Sequence, residues 1–121
     1  MGYTTRFKGD LLFTNPMSEE ALNKISTFFD EDVRDHKEWE TEEYANYIDL
    51  EFNKDRTGIR WNGAEKTYGM ISVVNLIIRE MQKEFPDFGL SGKFLCAGED
   101  IDDIYEIVIE NNKAIERKLY E

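Results

Sequence analysis

The sequence predicts an α+β fold: one largely antiparallel sheet with two helices on one face. Three patterns carry this expectation. Residues 3–13 alternate apolar and polar with a period of two. Two stretches repeat apolar residues at helical spacing. The other strand-like runs are short, rich in β-branched and aromatic residues, and bounded by turn residues.

In chain order, the first element is a strand over residues 3–13. Tyr3, Thr5, Phe7, Gly9, Leu11 and Phe13 share one face; Thr4, Arg6, Lys8 and Asp10 make the other a wet one. Asn15-Pro16 stops it. Ser18 can cap a helix, and Glu19 and Glu20 suit its first turn. Leu22, Ile25, Phe28 and Phe29 carry that helix to about residue 29. Residues 30–45 show no period and read as a long irregular loop, a length that is uncommon without a role. Ile48, Leu50 and Phe52 alternate with Asp49 and Glu51 in a second strand over 47–52. A turn at 55–58 and a short strand at 59–61 complete a hairpin, and Asn62-Gly63 turns the chain out of it.

From Tyr68, the stripe Met70, Val73, Val74, Ile77, Ile78, Met81 and Phe85 predicts a long amphipathic helix, ended by Pro86. Strands follow at 90–97, 104–110 and 114–119, the last two joined at Asn111-Asn112, residues that tolerate positive φ. The first six elements give a ferredoxin-like βαββαβ order, and a C-terminal hairpin is added to it. No linker, repeat or low-complexity tract interrupts residues 1–121, so a single domain is expected.

The formal net charge is −11, and two short segments hold all of it. Residues 30–43 contain eight acids (Asp30, Glu31, Asp32, Asp35, Glu38, Glu40, Glu42 and Glu43) against two bases. Residues 99–106 contain five, Glu99, Asp100, Asp102, Asp103 and Glu106, and no base. The rest of the chain is balanced. Charge of this sign opposes nucleic acid phosphates and anionic lipid. The apolar stretch near residues 70–81 is broken by Ser72, Asn75, Arg79 and Glu80, too soon to span a bilayer, and no secretory leader is seen. Cys96 is the only cysteine, which fits a reducing compartment such as the cytosol. A soluble protein without membrane or nucleic acid partners is therefore expected.

Most catalytic chemistry finds no residues here. His36 is the only histidine, so two-histidine metal sites and HExxH are excluded, and no nucleophile elbow or Gly-rich phosphate loop occurs. Cys96 lies in an apolar strand and reads as a packed core thiol; His36 reads as a solvated loop residue. Residues 99–103 lack the spacing of a calcium loop and read as a turn-rich acidic connection, with Glu99, Asp100, Asp102 and Asp103 counted with the acids of 30–43 as partner-binding. No catalytic residue, metal or cofactor is assigned.

The segment 30–43 is the better candidate because aromatics accompany its acids. Trp39 would anchor a contact while the acids steer it, a pattern suited to a basic protein surface. The bland alternative is a solvated charged face. Trp61-Asn62-Gly63-Ala64-Glu65-Lys66-Thr67-Tyr68 leads into the long helix, with Trp61 and Tyr68 placed to cover the rim of the core or to line a patch.

Three motifs in order carry a resemblance: Gly2-Tyr3-Thr4-Thr5-Arg6-Phe7-Lys8-Gly9, then Trp61 to Tyr68, then Gly98-Glu99-Asp100. Together they resemble a loose group of small phage and prophage proteins, over nearly the whole chain. Asn62 stands where Asp is common, Ala97 where Gln is common, and Asn111-Asn112 replaces an Asp-Gly turn. The resemblance implies a phage origin, and it implies one shared site from Glu65, Lys66, Tyr68, Glu99 and Asp100.

The leading functional expectation is a non-enzymatic, phage-encoded inhibitor of a host protein with a basic surface. A defence nuclease such as a CRISPR effector is one such target, with the acids imitating phosphates. The alternatives are a small-molecule-binding domain and a phage structural or accessory protein. A free edge at the last strand leaves a homo-oligomer open.

Overall fold

The strands cross the sheet in the order β3-β4-β2-β5-β6-β7, with β1 also pairing β5, and the pairings are antiparallel. They are β1 (Arg6–Lys8), β2 (Leu11–Phe13), β3 (Leu50–Phe52), β4 (Gly58–Trp61), β5 (Leu90–Ala97), β6 (Ile104–Glu110) and β7 (Lys113–Lys118). Two helices, α1 (Glu19–Ser26) and α2 (Met70–Glu84), complete an α+β fold. These elements come from a computed structural model that describes residues 4–119. The beginning of the expected first strand, at Tyr3, lies outside those residues.

The alternation of residues 3–13 is there, but the strand is broken in two. Phe7 faces Cys96 and Leu11 faces Gly92, so both halves hold one register against β5. The break is a bend at Gly9, where φ is +116°, opposite the stretch containing Gly92 at +102°. A Cβ on Gly9 would stand 2.7 Å from the Lys93 carbonyl oxygen. The two main chains approach more closely there than a side chain permits.

The first helix ends at Ser26 rather than near residue 29. Ser26 Oγ donates to the Asn23 carbonyl (2.7 Å) and Thr27 Oγ1 to that of Lys24 (2.6 Å). Such hydroxyls compete for carbonyls the helix would otherwise use. The N–H groups of Thr27, Phe28 and Phe29 then reach back three residues, and Asp30 at φ +64° closes the turn. Phe28 is still fully buried.

The stretch 30–48 is not a free loop. Asp30 N–H donates to the Ile48 carbonyl (2.8 Å), Ile48 N–H to that of Glu31 (2.8 Å) and Val33 N–H to that of Asn46 (2.9 Å). Asp32 caps a single 3₁₀ turn at Val33–Asp35 and pairs with Tyr47 in an isolated bridge. The second strand accordingly shortens to β3. Asp49 is not on a wet face: Ile48, Asp49 and Leu50 are all buried.

One core cluster joins both helices to the sheet. Leu11, Ile25, Phe28, Leu50, Ile59, Ile77, Met81, Phe94 and Ile107 are among its fully buried members. Burying a side chain of this size contributes about 1.5–3 kcal/mol. Polar Asn75, which interrupts the apolar stripe of α2, has a structural use. Its amide donates to the Ala114 carbonyl (3.2 Å) and its oxygen accepts the Ala114 N–H (2.8 Å). The helix thus satisfies two main-chain groups of the edge strand β7, whose Lys113, Arg117 and Lys118 also blunt that edge.

Among the described residues, the sheet's other face carries no helix. Register places Arg6, Lys8, Arg60, Lys93, Lys113 and Arg117 there, with Asp10, Glu51, Glu106 and Glu110 the acids among them. Glu106 is buried at the centre. Lys93 Nζ sits 2.6 Å from one carboxylate oxygen; Arg117 holds the other at 2.6 and 3.0 Å. Lys93 and then Arg117 keep the Glu106 carboxyl below the usual carboxylate range. Glu106 belongs to the second acidic segment by sequence but not to any acidic surface.

Candidate functional site: an acidic face and a groove beside the second helix

The eight acids of residues 30–43 divide into two groups. The first is already occupied. Asp32 accepts from Arg34 N–H (3.0 Å), Nε (2.8 Å) and Nη2 (2.6 Å), and that side-chain bond keeps its carboxyl below the usual range. Arg34 also reaches the Tyr44 hydroxyl at 3.3 Å. Asp30 accepts from the Asn62 amide at 3.1 Å. Glu31 lies 3.0 Å from His36 Nε2, and Glu38 lies 3.5 Å from Nδ1.

His36 is half-buried: two carboxylates flank it and its ring stacks on Trp39, centroids 3.8 Å apart. Trp39 packs in turn on Phe28 at 5.1 Å and belongs to the margin of the core. The aromatic surface exposed beside these acids is instead Tyr44 and Tyr47, 62% and 49% exposed.

The second group, Asp35, Glu40, Glu42 and Glu43, stands exposed, and none of its carboxylates has an ion-pair partner among the described residues. Bonds to the main chain fix Glu40 and Glu43, on either side of Glu42. Arg79 Nη1 donates to the Glu40 carbonyl (3.0 Å), Thr41 Oγ1 to that of Glu43 (2.7 Å), and Glu43 N–H to Ser72 Oγ (3.3 Å). They form one wall of a groove of about 570 Å³. Ile71, Asn75, Ile78 and Gln82 of α2 line it at helical spacing; Asn112 and Lys113 contribute as well.

Glu99, Asp100, Asp102 and Asp103 occupy the turn between β5 and β6, closed by Gly98 N–H to the Asp103 carbonyl (2.9 Å). Ile101 at its tip is 93% exposed. Glu99 accepts from Thr4 N–H. Next along the chain, Thr5 lines a cavity of about 120 Å³ that Glu43, Thr67, Tyr105 and Glu116 also line. The two acidic segments thus approach each other beside residues 4–5. Among the described residues, no group of three or more His, Cys, Asp or Glu could hold a metal ion.

The segment from Trp61 to Tyr68 is built around a buried hydrogen-bond chain that sequence reasoning missed. Trp61 Nε1 donates to Thr67 Oγ1 (3.0 Å), and Thr67 Oγ1 donates to Asp49 Oδ2 (2.8 Å). Burial raises the Asp49 carboxyl, Thr67 opposes that, and the charge of Asp30 adds to it. Trp61 also meets Phe7 edge-on at 5.4 Å. Tyr68 lies 6.2 Å from Tyr44, whereas Glu65 and Lys66 are exposed on the turn. The only sequence signal for the chain was an acid placed between two large apolar residues, Ile48 and Leu50.

No protein-family model, curated protein or solved structure matches the chain. No helix among the described residues is long and apolar enough to cross a membrane.

Proposed function

We propose that this protein is a non-enzymatic interaction module that occupies a basic surface of another protein, as a phage-encoded stoichiometric inhibitor of a host factor. The observation that carries this reading is the division of the acids. Asp35, Glu40, Glu42 and Glu43 are exposed on a loop pinned by main-chain bonds, while Asp32 and Glu106 are neutralised internally. Fixed, uncompensated charge favours steering and selection of a basic partner. Tyr44 and Tyr47 supply contact area beside it, and Trp39, partly buried, backs the loop. A basic nucleic-acid cleft of a host defence protein, a CRISPR effector among them, is the target that suits such a surface. The phage origin rests on the three motifs, and a cytosolic setting on the single, buried Cys96.

The test is a pull-down from host lysate, washed at low and at high salt, followed by competition against the captured protein's nucleic acid. Expected is a nucleic-acid-binding protein retained at low salt, shed at high salt and displaced from its nucleic acid at equimolar inhibitor. Charge reversal at Asp35, Glu40, Glu42 and Glu43 should abolish both. Unchanged capture by that variant overturns the reading.

The ferredoxin-like order is also our reading. It is supported by the single register that β1 and β2 keep against β5, which lets them count as one bent strand between β4 and β5. β6 and β7 then form the added hairpin.

A further inference from the structure

The acidic loop and the outer face of α2 enclose the groove that Glu40, Glu42 and Glu43 wall. Its lining residues on α2 run from Ile71 to Gln82, about 16 Å along the helix axis, the length of about five residues of extended chain. That is long for a single ion and suited to a stretch of polypeptide. Ile71, partly exposed, gives the floor an aliphatic surface, and Ile78 closes it from the core beneath. Such a surface beside carboxylates matches the two parts of a Lys or Arg side chain, an apolar stem and a charged head.

Two further observations favour a cationic occupant. Arg79 already places one guanidinium against this wall, donating to the Glu40 carbonyl, and its own charge is met by Glu80 at 3.2 Å. The three glutamates are left without a cation of their own. Ser72, a buried residue of the lining, accepts the Glu43 N–H, and among the described residues no acceptor takes its hydroxyl proton. It offers a donor to a main-chain carbonyl lying in the groove.

We propose that this groove seats a basic, extended segment of the partner protein, with arginine or lysine stems along Ile71 and the outer side of α2 and their heads on Glu40, Glu42 and Glu43. The proposal rests on the reading of the acidic face as a docking surface for a basic protein. It goes beyond it in placing the contact in the groove along α2 and in giving the partner segment an extended, basic form.

The test uses the full chain and a short, end-blocked oligoarginine peptide, titrated at low salt while backbone amide shifts are followed. Expected are saturating shifts at Ile71, Ser72, Asn75 and Ile78, absent with an oligoglutamate peptide. Glu40→Gln, Glu42→Gln and Glu43→Gln combined should weaken binding about tenfold, the sum of three exposed ion pairs of modest strength. Asp100→Asn with Asp102→Asn should leave it within about twofold on the same reasoning. All five positions are exposed, so these variants test charge and not folding. Saturating shifts confined to residues 99–103, or shifts unaffected by the triple variant, overturn the groove while leaving an acidic docking surface standing. No saturable shift anywhere overturns both.

Discussion

Thr67→Val tests the buried chain from Trp61 to Asp49. Valine nearly keeps the shape of threonine, so little cavity forms, but two partners lose their hydrogen bonds. Trp61 Nε1–H loses its acceptor at 3.0 Å and the Asp49 carboxylate its donor at 2.8 Å. A buried group left unsatisfied costs about 1–3 kcal/mol. Trp61 is only partly buried and water can replace some of its loss, so the expected destabilisation is about 2–4 kcal/mol at neutral pH. For a chain of this size that lowers the melting temperature by about 10 °C.

The pH dependence gives the test its specificity. The folded Asp49 carboxyl titrates above its unfolded value, because burial raises it. The folded state therefore binds the extra proton, and stability falls as pH rises through the folded value. Thr67 opposes the shift, so its removal raises the carboxyl further and deepens the fall. The deficit of Thr67→Val should shrink in acid, where Asp49 carries its own proton. Urea unfolding followed by tryptophan fluorescence at neutral and acid pH measures both. A deficit under about 0.5 kcal/mol at neutral pH, within the range of ordinary surface substitutions, refutes the cost. A deficit equal at both pH values refutes the role of Asp49.

Three further outcomes are expected. Cys96 is fully buried and burial pushes its thiol up to about 12, so native protein should resist thiol reagents until urea unfolds it. The unfolded thiol ionises first, so stability should fall from about pH 8.5 upward. Subtracting a Cys96→Ala titration isolates that slope. Asn75→Ala removes both bonds to Ala114 and should cost about 1–2 kcal/mol in urea unfolding, with sedimentation showing more self-association through β7; no change in either rejects the amide as an edge seal. Gly58→Ala would put a Cβ 2.2 Å from the Leu11 carbonyl oxygen, so a loss on the order of 3 kcal/mol is expected from strain between β2 and β4. Wild-type stability in this variant would mean that the strands do not approach so closely.

The elements that sequence pattern defines well are those whose neighbours are regular. Residues 90–97 and 104–110 form strands with the expected bounds, and the stripe from Met70 to Met81 forms the long helix. The departures arise where a partner distant in sequence decides the outcome. The bend at Gly9 depends on the approach of the Lys93 carbonyl, and the burial of Asp49 on Thr67. The packing of Trp39 against Phe28 at the margin of the core is likewise set by the folded loop rather than by any local pattern. Composition located the acids of the candidate site. It could not separate Asp32, which Arg34 holds, from Glu42 and Glu43, because pairing is a property of geometry. The groove on α2 was invisible for the same reason.

The helix-free face of the sheet has a consequence for motion before contact. Six bases against four acids make it locally positive, in a molecule whose net charge is −11. Charge so divided gives the protein a permanent electric dipole. In the field of a positively charged body a dipole experiences torque, and the negative loops turn to the front while the sheet turns away. Fewer collisions are then wasted on the wrong orientation, an advantage that dissolved salt erases within about 10 Å at 0.1 M ionic strength.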